Sequence, residues 1–587
     1  MDQDRQRMKV LSVVLCQLLG AASFGCNSKS TDSERGQLQT APGDFSVQSE
    51  SDGDKVSIQA EGESLTQSVG TVLPEGETVS ANTMLVSPQG ITSAVVISHT
   101  DIIVEWKKPK TPVDALIVER RTLPSEAWVQ VASLNADARI YRDTGLTAKT
   151  RYGYRVLSRS QDSSALLGTA PAVTTDDPAN RKVFHVSSVS GSNENPGTEA
   201  QPWKTLQHAH GRLKPGDTLL VGSGEYTSTN FAVLAITTSG TPNAWITYRN
   251  FPGQSAKIVS TVRKNWSGID IRHASYIIIE GFDLAGHNKD VTLEGALAEM
   301  RKQTPYASSS GISIESRDLT KPVSHHIVIR NNYIHDHPLV GVATMGSDYV
   351  TIEDNRIYNN GRFSSYGGSG ISVLVPRDID NNTQGYKHII LRNVSSNNSN
   401  EVPCECYKYQ APTDGNGIIL DSYKDYKGRT LVANNIVNNN GGRGIHAFKA
   451  SNVDIFFNTS VRNSTIAITG DGEITAMESK NVRVRDNIMV ARSDRPVNST
   501  RKSVNVDFSH NIVYGGNGFV STGNNTNRLN LDPMFVAQGT HSDYFALKPE
   551  SPAVNSASGT IPVPADDLYR QARALGGKAD VGAIESH

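Results

Sequence analysis

The chain has 587 residues, of which 37% are hydrophobic and 6% aromatic, and its 57 Lys and Arg nearly balance its 59 Asp and Glu. This length exceeds one ordinary core and predicts several domains or one elongated repeat domain. Balanced charge argues against nucleic-acid binding, which depends on neutralising phosphates with Lys and Arg. Four cysteines cannot build a disulfide scaffold. No apolar run reaches the roughly 20 residues of a membrane-spanning helix.

Residues 1 to 26 are predicted to be an export signal. Arg5, Arg7 and Lys9 precede a short apolar run, and small residues follow up to Cys26. The residue before Cys26 resembles a bacterial lipobox, which implies acylation of Cys26 and a cell-envelope lipoprotein; ordinary cleavage and secretion is the alternative. Residues 27 to 85, rich in Ser, Gln and acidic residues, predict a flexible tether. We therefore expect membrane contact only through the lipid anchor.

Residues 86 to 176 are predicted to form a β-sandwich. Short alternating strands such as Asp101–Trp106, Ala115–Arg120 and Tyr152–Val156 are separated by turn signals. The segment around Tyr152 resembles the fibronectin type III signature, with Trp106 at that family's core tryptophan position. The resemblance implies the fold only, and a spacer role and a carbohydrate contact both stay open.

Residues 182 to 587 show a repeat. Asparagines that follow apolar strands recur at 23 to 29 residue intervals, at Asn332 and Asn355 and again from Asn435 to Asn511. Gly-initiated strands recur out of phase with them, at Gly311, Gly341, Gly370, Gly417 and Gly444. A repeat too short to bury its own apolar face must stack on its neighbours. The asparagines are expected to tolerate left-handed turns and to form side-chain ladders between rungs.

The opening of this region resembles right-handed parallel β-helix proteins of bacteria. The resemblance rests on Val183–Ser188, Gln201–Leu206, Lys214–Val221 and Asn243–Gly253. It implies a first strand, a capping helix and a second strand. We therefore predict an all-β protein: a right-handed parallel β-helix, or solenoid, preceded by a fibronectin type III-like β-sandwich.

The outward face of the Gly-initiated strands is the predicted site. Residues one and three after each Gly are apolar and should point inward, so residues two and four should point outward. Polar outward residues concentrate in two rungs, one from Asp414 to Tyr423 and one from Arg443 to Lys449. We expect Asp421 and His446 about one rung apart. Asn416, Arg443 and Asp471 should form one column.

This part of the chain resembles β-helix polysaccharide lyases, most nearly the pectate-lyase-9-like and related uronate-lyase families. Such enzymes cleave uronic-acid polymers by β-elimination, so the site must neutralise a carboxylate and position a base. The resemblance suggests Arg443 for the carboxylate, Lys449 or His446 for the base and Tyr423 as proton donor. The family's paired-Asp run is replaced here by residues 441 to 444, Gly-Gly-Arg-Gly, and no motif matches its catalytic lysine.

The remaining candidates are a metal site and substrate contacts. Asp414 and Asp421 could hold calcium, a hard cation that prefers oxygen ligands. Asn416, Asp421 and Phe448 are candidate substrate-binding residues. Each of these residues also has a structural alternative. Asp414 can simply form a turn, His446 can be a solvated outward side chain, and Lys449 can be a charge at the edge of a turn.

A long insertion, residues 397 to 413, precedes the Asp414 rung and could wall one side of the groove. It contains Cys404 and Cys406, whose spacing without companion histidines is a poor zinc signal. A loop disulfide or two free thiols are expected instead.

Three functions follow from the sequence. The first is a secreted or surface-anchored lyase acting on an acidic polysaccharide. The second is a β-helix glycoside hydrolase, which needs two carboxylates, drawn from Asp414, Asp421, Asp471 and Glu473. The third is a non-catalytic carbohydrate-binding surface protein. In each case we expect a polysaccharide partner, no nucleic acid and a monomer.

Overall fold

The computed structural model describes residues 92 to 586 except 110–111, 161–162, 303, 467–471, 523–525, 537–544, 562–563 and 574–576. The predicted signal, the tether and Cys26 lie outside the described residues. Helices are few and short in the described part: α1 (Leu206–His210, capped by Thr205), α2 (Leu293–Glu299) and two 3-10 turns, Asn288–Asp290 and Glu405–Tyr407. None of these helices is long and apolar enough to cross a membrane.

The described residues up to 174 form the predicted β-sandwich. One sheet has the antiparallel order β1 (Thr92–Val96), β2 (Ile102–Trp106), β5 (Ile140–Asp143). The facing sheet has the antiparallel order β4 (Val129–Asn135), β3 (Ala115–Thr122), β6 (Arg151–Ser160), β7 (Ser163–Thr174). Its membership of the fibronectin type III family stays a prediction.

The following residues form the predicted right-handed parallel β-helix, whose strands stack into three long sheets. Sheet A consists of β8 (Val183–Val186), β9 (Thr218–Val221), β12 (Ile246–Asn250), β15 (Ile277–Glu280), β18 (His325–Arg330), β21 (Asp348–Glu353), β25 (Tyr386–Leu391), β29 (Arg429–Ala433), β32 (Ser451–Phe456), β35 (Lys480–Arg485) and β37 (Val504–Ser509). Sheet B consists of β10 (Gly224–Tyr226), β13 (Ala256–Val259), β16 (Asp283–Ala285), β19 (Tyr333–His335), β22 (Arg356–Tyr358), β26 (Val394–Ser396), β30 (Ile436–Asn438), β33 (Thr459–Val461), β36 (Ile488–Ala491), β38 (Ile512–Gly515) and β39 (Arg528–Leu529). Sheet C consists of β11 (Ala232–Ile236), β14 (Ser267–Arg272), β17 (Ser310–Glu315), β20 (Val342–Met345), β24 (Ile371–Leu374), β28 (Ile418–Asp421), β31 (Ile445–Phe448) and β34 (Ile474–Met477). A short pair, β23 (Gly361–Arg362) with β27 (Ser399–Asn400), lies beside them.

Aliphatic columns fill the interior of the β-helix. Seven of the eight strands of sheet C contribute a fully buried β-branched residue at the same register position: Ile269, Ile312, Val342, Ile371, Ile418, Ile445 and Ile474. Because strands lie about 4.8 Å apart, each side chain packs directly on the next. Truncating one of them to Ala would cost about 2–5 kcal/mol.

The predicted asparagine ladder is present, and the structure contains two. In the first ladder, each backbone N–H and each side-chain Nδ2 donates to the Oδ1 of the next rung at 2.8–3.1 Å: Asn332, Asn355, Asn393, Asn435, Asn458, Asn487, Asn511 and Asn527. The second ladder runs through His337, Asn360, Asn398, Asn440 and Asn463 and ends at Glu473. These bonds satisfy buried backbone and amide groups at the two corners.

The sequence had suggested that the ladder asparagines themselves adopt the left-handed conformation, and this is wrong. The left-handed residues are those immediately before the ladder asparagines, with φ near +55° at Asp354, Arg392, Asn434 and Phe457. Because hydrogen bonds to the two neighbouring rungs hold the asparagine that follows, even bulky residues adopt this conformation. Left-handed backbone in non-glycine residues persists only where the surroundings over-determine it.

An alternating column of buried charges lies on the outer side of sheet A. Arg249, Glu280, Arg330 and Glu353 occupy one register position in four successive rungs. Glu280 lies 3.7 Å from Arg249 and 3.2 Å from Arg330. The column is therefore internally compensated, as buried charges need to be.

The sandwich packs against the first rungs of the β-helix. Glu105 accepts from Gly253 N and lies 3.5 Å from Arg249 Nη2. The His185 ring lies 3.2 Å from the Ile97 carbonyl. Val183, Leu220 and Phe251 of the β-helix side belong to the apolar core of the sandwich.

Candidate active site

Three neighbouring strands of sheet C, β28, β31 and β34, carry the candidate site. Ile419, His446 and Thr475 are register partners, and so are Asp421, Phe448 and Met477. Ile418, Leu420, Ile445 and Ala447 lie in the core. The predicted alternation therefore holds, and Asp421 and His446 lie on neighbouring rungs of the outward face.

Asp414, Asn416 and Arg443 meet at the start of β28 and β31. Arg443 N donates to Asn416 Oδ1 at 3.0 Å, and Asn416 Nδ2 lies 3.3 Å from Asp414 Oδ1 and 3.2 Å from Ser369 Oγ. Two members of the predicted column are thus adjacent, while Asp471 lies outside the described residues. Asn416 is fully buried, with its amide engaged by these partners. It holds the turn in place and is not a substrate contact.

Two carboxyl groups on this face have raised pKa values. Burial raises the pKa of Asp421 to about 7, the charge of Asp414 adds to this, and Ser422 and Lys449 oppose it. Burial also raises the pKa of Asp414, against a hydrogen bond from Thr413 and the charge of Arg443. Paired carboxyl groups with shifted pKa values are typical of acid–base sites.

His446 points outward but is enclosed, which corrects the expectation of a solvated side chain. It is 5% exposed, and within the described residues neither ring nitrogen has a hydrogen-bond partner. Burial holds the pKa of His446 well below its usual range, and Arg443 and Arg501 lower it further. The imidazole is therefore neutral near pH 7. Its ring centroid lies 5.5 Å from that of Phe448.

Lys449 follows β31 at the edge of the face. Its backbone is left-handed, with φ of 50°. Its Nζ lies 4.8 Å from the Phe448 ring centroid and 3.9 Å from Glu478 Oε2, and 29% of its side chain is exposed. Lys449 and the half-buried Phe448 are therefore accessible to a bound chain.

The insertion of residues 397 to 413 lies beside Asp414 and closes one side of the face. Cys404 and Cys406 form a disulfide within it, one of the two alternatives that the sequence left open. Thr413 donates to Asp414 Oδ2 at 2.6 Å, and its Oγ1 lies 3.4 Å from Cys406 Sγ. Gly367, with φ of +74°, permits this approach, since a Cβ there would collide with Asp414.

Two predicted site residues lie elsewhere. Tyr423 belongs to the hydrophobic core, and its hydroxyl lies 3.0 Å from Thr430 Oγ1, so it cannot donate a proton to a substrate on the outer face. Glu473, a candidate hydrolase carboxylate, is buried at the end of the second ladder, where it accepts from Ser460 and Asn463. Both have structural roles.

The described residues offer calcium few ligands. Within the described ranges, Asp421 belongs to no group of three or more His, Cys, Asp or Glu side chains that could share a metal ion. Asp414 belongs to one such group, but its other members are the disulfide-bonded Cys404 and Cys406. Calcium takes six to eight oxygen ligands, and here the Arg443 cation competes for Asp414. Asp414 and Asp421 therefore do not fit a calcium site, and a calcium requirement stays a prediction.

Sequence reasoning missed three residues of this face. Thr475 faces outward beside His446, and its buried Oγ1 has no hydrogen-bond partner within the described residues. Arg501 contributes positive potential to His446, and Glu478 lies near Lys449. Strand β34 begins after Glu473 instead of after Gly, so the pattern that located the other strands passed over it.

A family model described as Pel9A-like, right handed beta helix region, matches residues 184 to 337. Within those residues the chain is similar to the Pel9A-like β-helix region. The match ends before the rungs of the candidate site, so it supports the fold of the first rungs and leaves the site to be argued from its own geometry.

The chain is similar to one curated protein and to solved β-helix structures. It is 25% identical to the uncharacterized protein YwoF of Bacillus subtilis (strain 168) over 448 residues, 62% of this chain and 91% of the relative. The pectate lyase Pel9A structure aligns over 70% of this chain and 97% of its own, with 16% identity and a TM-score of 0.43. A GH136 lacto-N-biosidase from Eubacterium ramulus aligns over 60% and 68%, with 15% identity and a TM-score of 0.39.

Proposed function

We propose that the protein is an exported polysaccharide lyase that cleaves a uronate-containing polysaccharide by β-elimination. The observation that carries this proposal is the placement of Arg443 and Lys449, at the two ends of β31, on the same outward face as Asp421 of the neighbouring strand. Proton abstraction beside a carboxylate needs positive charge to stabilise the developing anion and a base within reach. Arg443 offers the positive charge and Lys449 the base, both from the rung that contains β31.

In the proposed reaction, Arg443 pairs with the substrate carboxylate and Lys449 takes the proton from the neighbouring carbon. The bond to the leaving glycosidic oxygen breaks as a carbon–carbon double bond forms in the ring. Asp421, protonated in part near pH 7, gives a proton to the leaving oxygen. It takes the role that the sequence had suggested for Tyr423. Phe448 offers an apolar surface for the sugar ring.

His446 is the second candidate for the base. Its neutral imidazole is in the protonation state that a base requires, whereas its enclosed nitrogens make it less accessible than Lys449. Turnover by Lys449→Ala and by His446→Gln distinguishes the two candidate bases. Only the variant that lacks the base should lose proton transfer while the protein stays folded.

A glycoside hydrolase is the second candidate function, favoured by one observation. Asp414 and Asp421 are two carboxyl groups on this face, and the charge of Asp414 adds to the effect of burial in raising the pKa of Asp421. Hydrolysis uses such a pair, one as the acid and the other as base or nucleophile. Hydrolysis yields saturated ends, whereas β-elimination yields unsaturated uronate.

The deciding experiment measures ultraviolet absorbance and chain shortening over a panel of acidic and neutral polysaccharides, with and without a calcium chelator. We expect an absorbance rise on an acidic member only. Chain shortening without the rise would favour the hydrolase, and binding without shortening would identify a carbohydrate-binding protein. Loss of activity with chelator and its return with calcium would establish the metal requirement.

We also propose that the chain is a monomer exported with a lipid anchor on Cys26. The signal-like segment and the small residues before Cys26 support the anchor. Membrane fractionation of the Cys26→Ala protein tests it, because this variant should move to the soluble fraction. Equal membrane association would refute the anchor.

A further inference from the structure

A cavity of about 310 Å³ opens where the sandwich, the middle rungs and the C-terminal segment meet. Trp106 and Lys107 line it from the sandwich, Arg356 from the rungs and Tyr569 from the C-terminal segment. Its volume is at the small end of the range for sites that bind small molecules, which favour interfaces between domains. It lies apart from the candidate active site, because no residue of β28, β31 or β34 lines it.

The charged groups at the floor of this cavity are already paired. Arg249 and Glu280 belong to the alternating column. Arg392 Nε lies 2.9 Å from Asp354 Oδ1, and Arg570 donates to the other oxygen of the same carboxylate. These groups therefore offer little net charge to a ligand.

Two cations on the walls differ from the floor. Lys107 and Arg356 form no side-chain ion pair or hydrogen bond within the part of the chain that the structure describes. Desolvation lowers the pKa of Lys107 to about 8 against the attraction of Asp354, and the charges of Arg570 and Arg356 lower it further. Both side chains are exposed at the cavity, where two like charges repel each other unless an anion joins them.

Two aromatic residues, Trp106 and Tyr569, border the cavity. Trp106 is 4% exposed, and its indole Nε1–H is buried with no acceptor among the described residues. Buried indole N–H groups usually have a hydrogen-bond acceptor, so the lack of one at Trp106 calls for an explanation. Trp106 belongs to the apolar core of the sandwich, so the half-buried Tyr569 is the aromatic side chain at the cavity surface.

We propose that this cavity binds an acidic sugar of one or two rings, with its carboxylate held between Lys107 and Arg356. The anionic charge follows from the two wall cations and the size from the volume. The sugar class follows from the Tyr569 ring at the cavity surface and rests on the proposed function. In this role the sandwich takes part in carbohydrate recognition and is more than a spacer.

Calorimetric titration of the full chain tests the proposal. The Arg443→Ala protein serves as the background, so that no turnover accompanies binding, and digalacturonate is the probe. We expect Lys107→Met or Arg356→Met to weaken binding at least about tenfold, as loss of one member of a charge pair does. Arg483→Met, on the outer face of sheet A and outside this cavity, is the matched control and should bind normally.

Neutral galactobiose should bind at least about tenfold more weakly than digalacturonate. Inorganic phosphate separates a general anion site from a saccharide site: phosphate binding without digalacturonate binding would overturn the sugar assignment. Digalacturonate binding that is unchanged in both methionine variants would overturn the site. Because turnover is not measured, failure here leaves the lyase proposal standing, and failure of the lyase proposal leaves the binding result intact.

Chemical labelling gives a second readout at Lys107 itself. An amine-acetylating reagent followed by mass spectrometry reports the reactivity of each lysine. Digalacturonate at ten times its Kd should slow acetylation of Lys107 about tenfold and leave the exposed Lys427 unaffected. Equal rates at Lys107 with and without digalacturonate would contradict direct contact.

Discussion

Two buried polar regions of the β-helix differ in how their groups are satisfied. In the first ladder, Asn435 donates from both N and Nδ2 to Asn458 and accepts from Asn393, so each group has its partner. On the outward face of sheet C, His446 and the Thr475 hydroxyl are buried with no hydrogen-bond partner within the described residues. Buried unpaired groups cost free energy, so a fold retains them where a ligand can supply the partner. The first ladder is thus fully paired, whereas this face still contains polar groups that a ligand can pair.

The largest expected effect is on activity. Lys449→Ala and Arg443→Ala should each lower kcat/KM at least about a hundredfold, because a positioned base or charge contributes that much. For Lys449→Ala the free energy of unfolding should change by about 0.5 kcal/mol or less, as at surface positions. For Arg443→Ala it should fall by about 1 kcal/mol, because the half-buried guanidinium bonds the Thr413 carbonyl. Lys480→Ala, an exposed lysine at the start of β35, is the control for charge. Near-normal turnover in both variants would move the site elsewhere.

The next effect is on stability, in the satisfied region. Asn435→Ala should lower the free energy of unfolding by about 1–3 kcal/mol, because buried polar groups of Asn393 and Asn458 lose hydrogen bonds. Urea unfolding measures the loss. Asn505→Ala is the matched control, since this exposed asparagine also bonds the previous rung, at Asn481. An equal loss at both positions would mean that burial does not decide the value of a ladder amide.

The smallest effect is on pH dependence. If Asp421 donates the proton, activity should fall as pH rises through about 7, and Asp421→Asn should flatten that limb. The raised pKa also means that the folded chain binds this proton more tightly than the unfolded chain. The stabilisation is complete below the unfolded pKa and is lost as pH rises towards 7. Unfolding curves at pH 4 and 7 should therefore show Asp421→Asn gaining on the wild type at higher pH, and parallel curves would contradict the shift.

The sequence was sufficient for the periodic parts of the molecule. Asparagines 23 to 29 residues apart marked the first ladder, because each bonds to its counterpart one rung away. Asn393 was missed because insertions place its partners 38 and 42 residues away along the chain. Alternation correctly placed Ile445 in the core and His446 on the outward face. Local periodicity thus specifies the rungs but not the excursions between them.

Alternation failed where the backbone turns. Ser422 has φ of 56°, so the count of inward and outward positions does not continue past β28, and Tyr423 enters the core. The charges that act on His446 include residues far along the chain, such as Arg501, which no local pattern reveals. Side-chain direction was predictable within a strand, whereas burial depended on tertiary contacts.

The second ladder has an electrical direction. Each of its asparagines turns its carbonyl oxygen towards the preceding rung and its N–H groups towards the following one, so the side-chain dipoles add like those of a helix. The positive end of this row meets the carboxyl of Glu473, one residue before β34 begins. A proton gained or lost at Glu473 would therefore polarise a row of amides that runs back through four rungs.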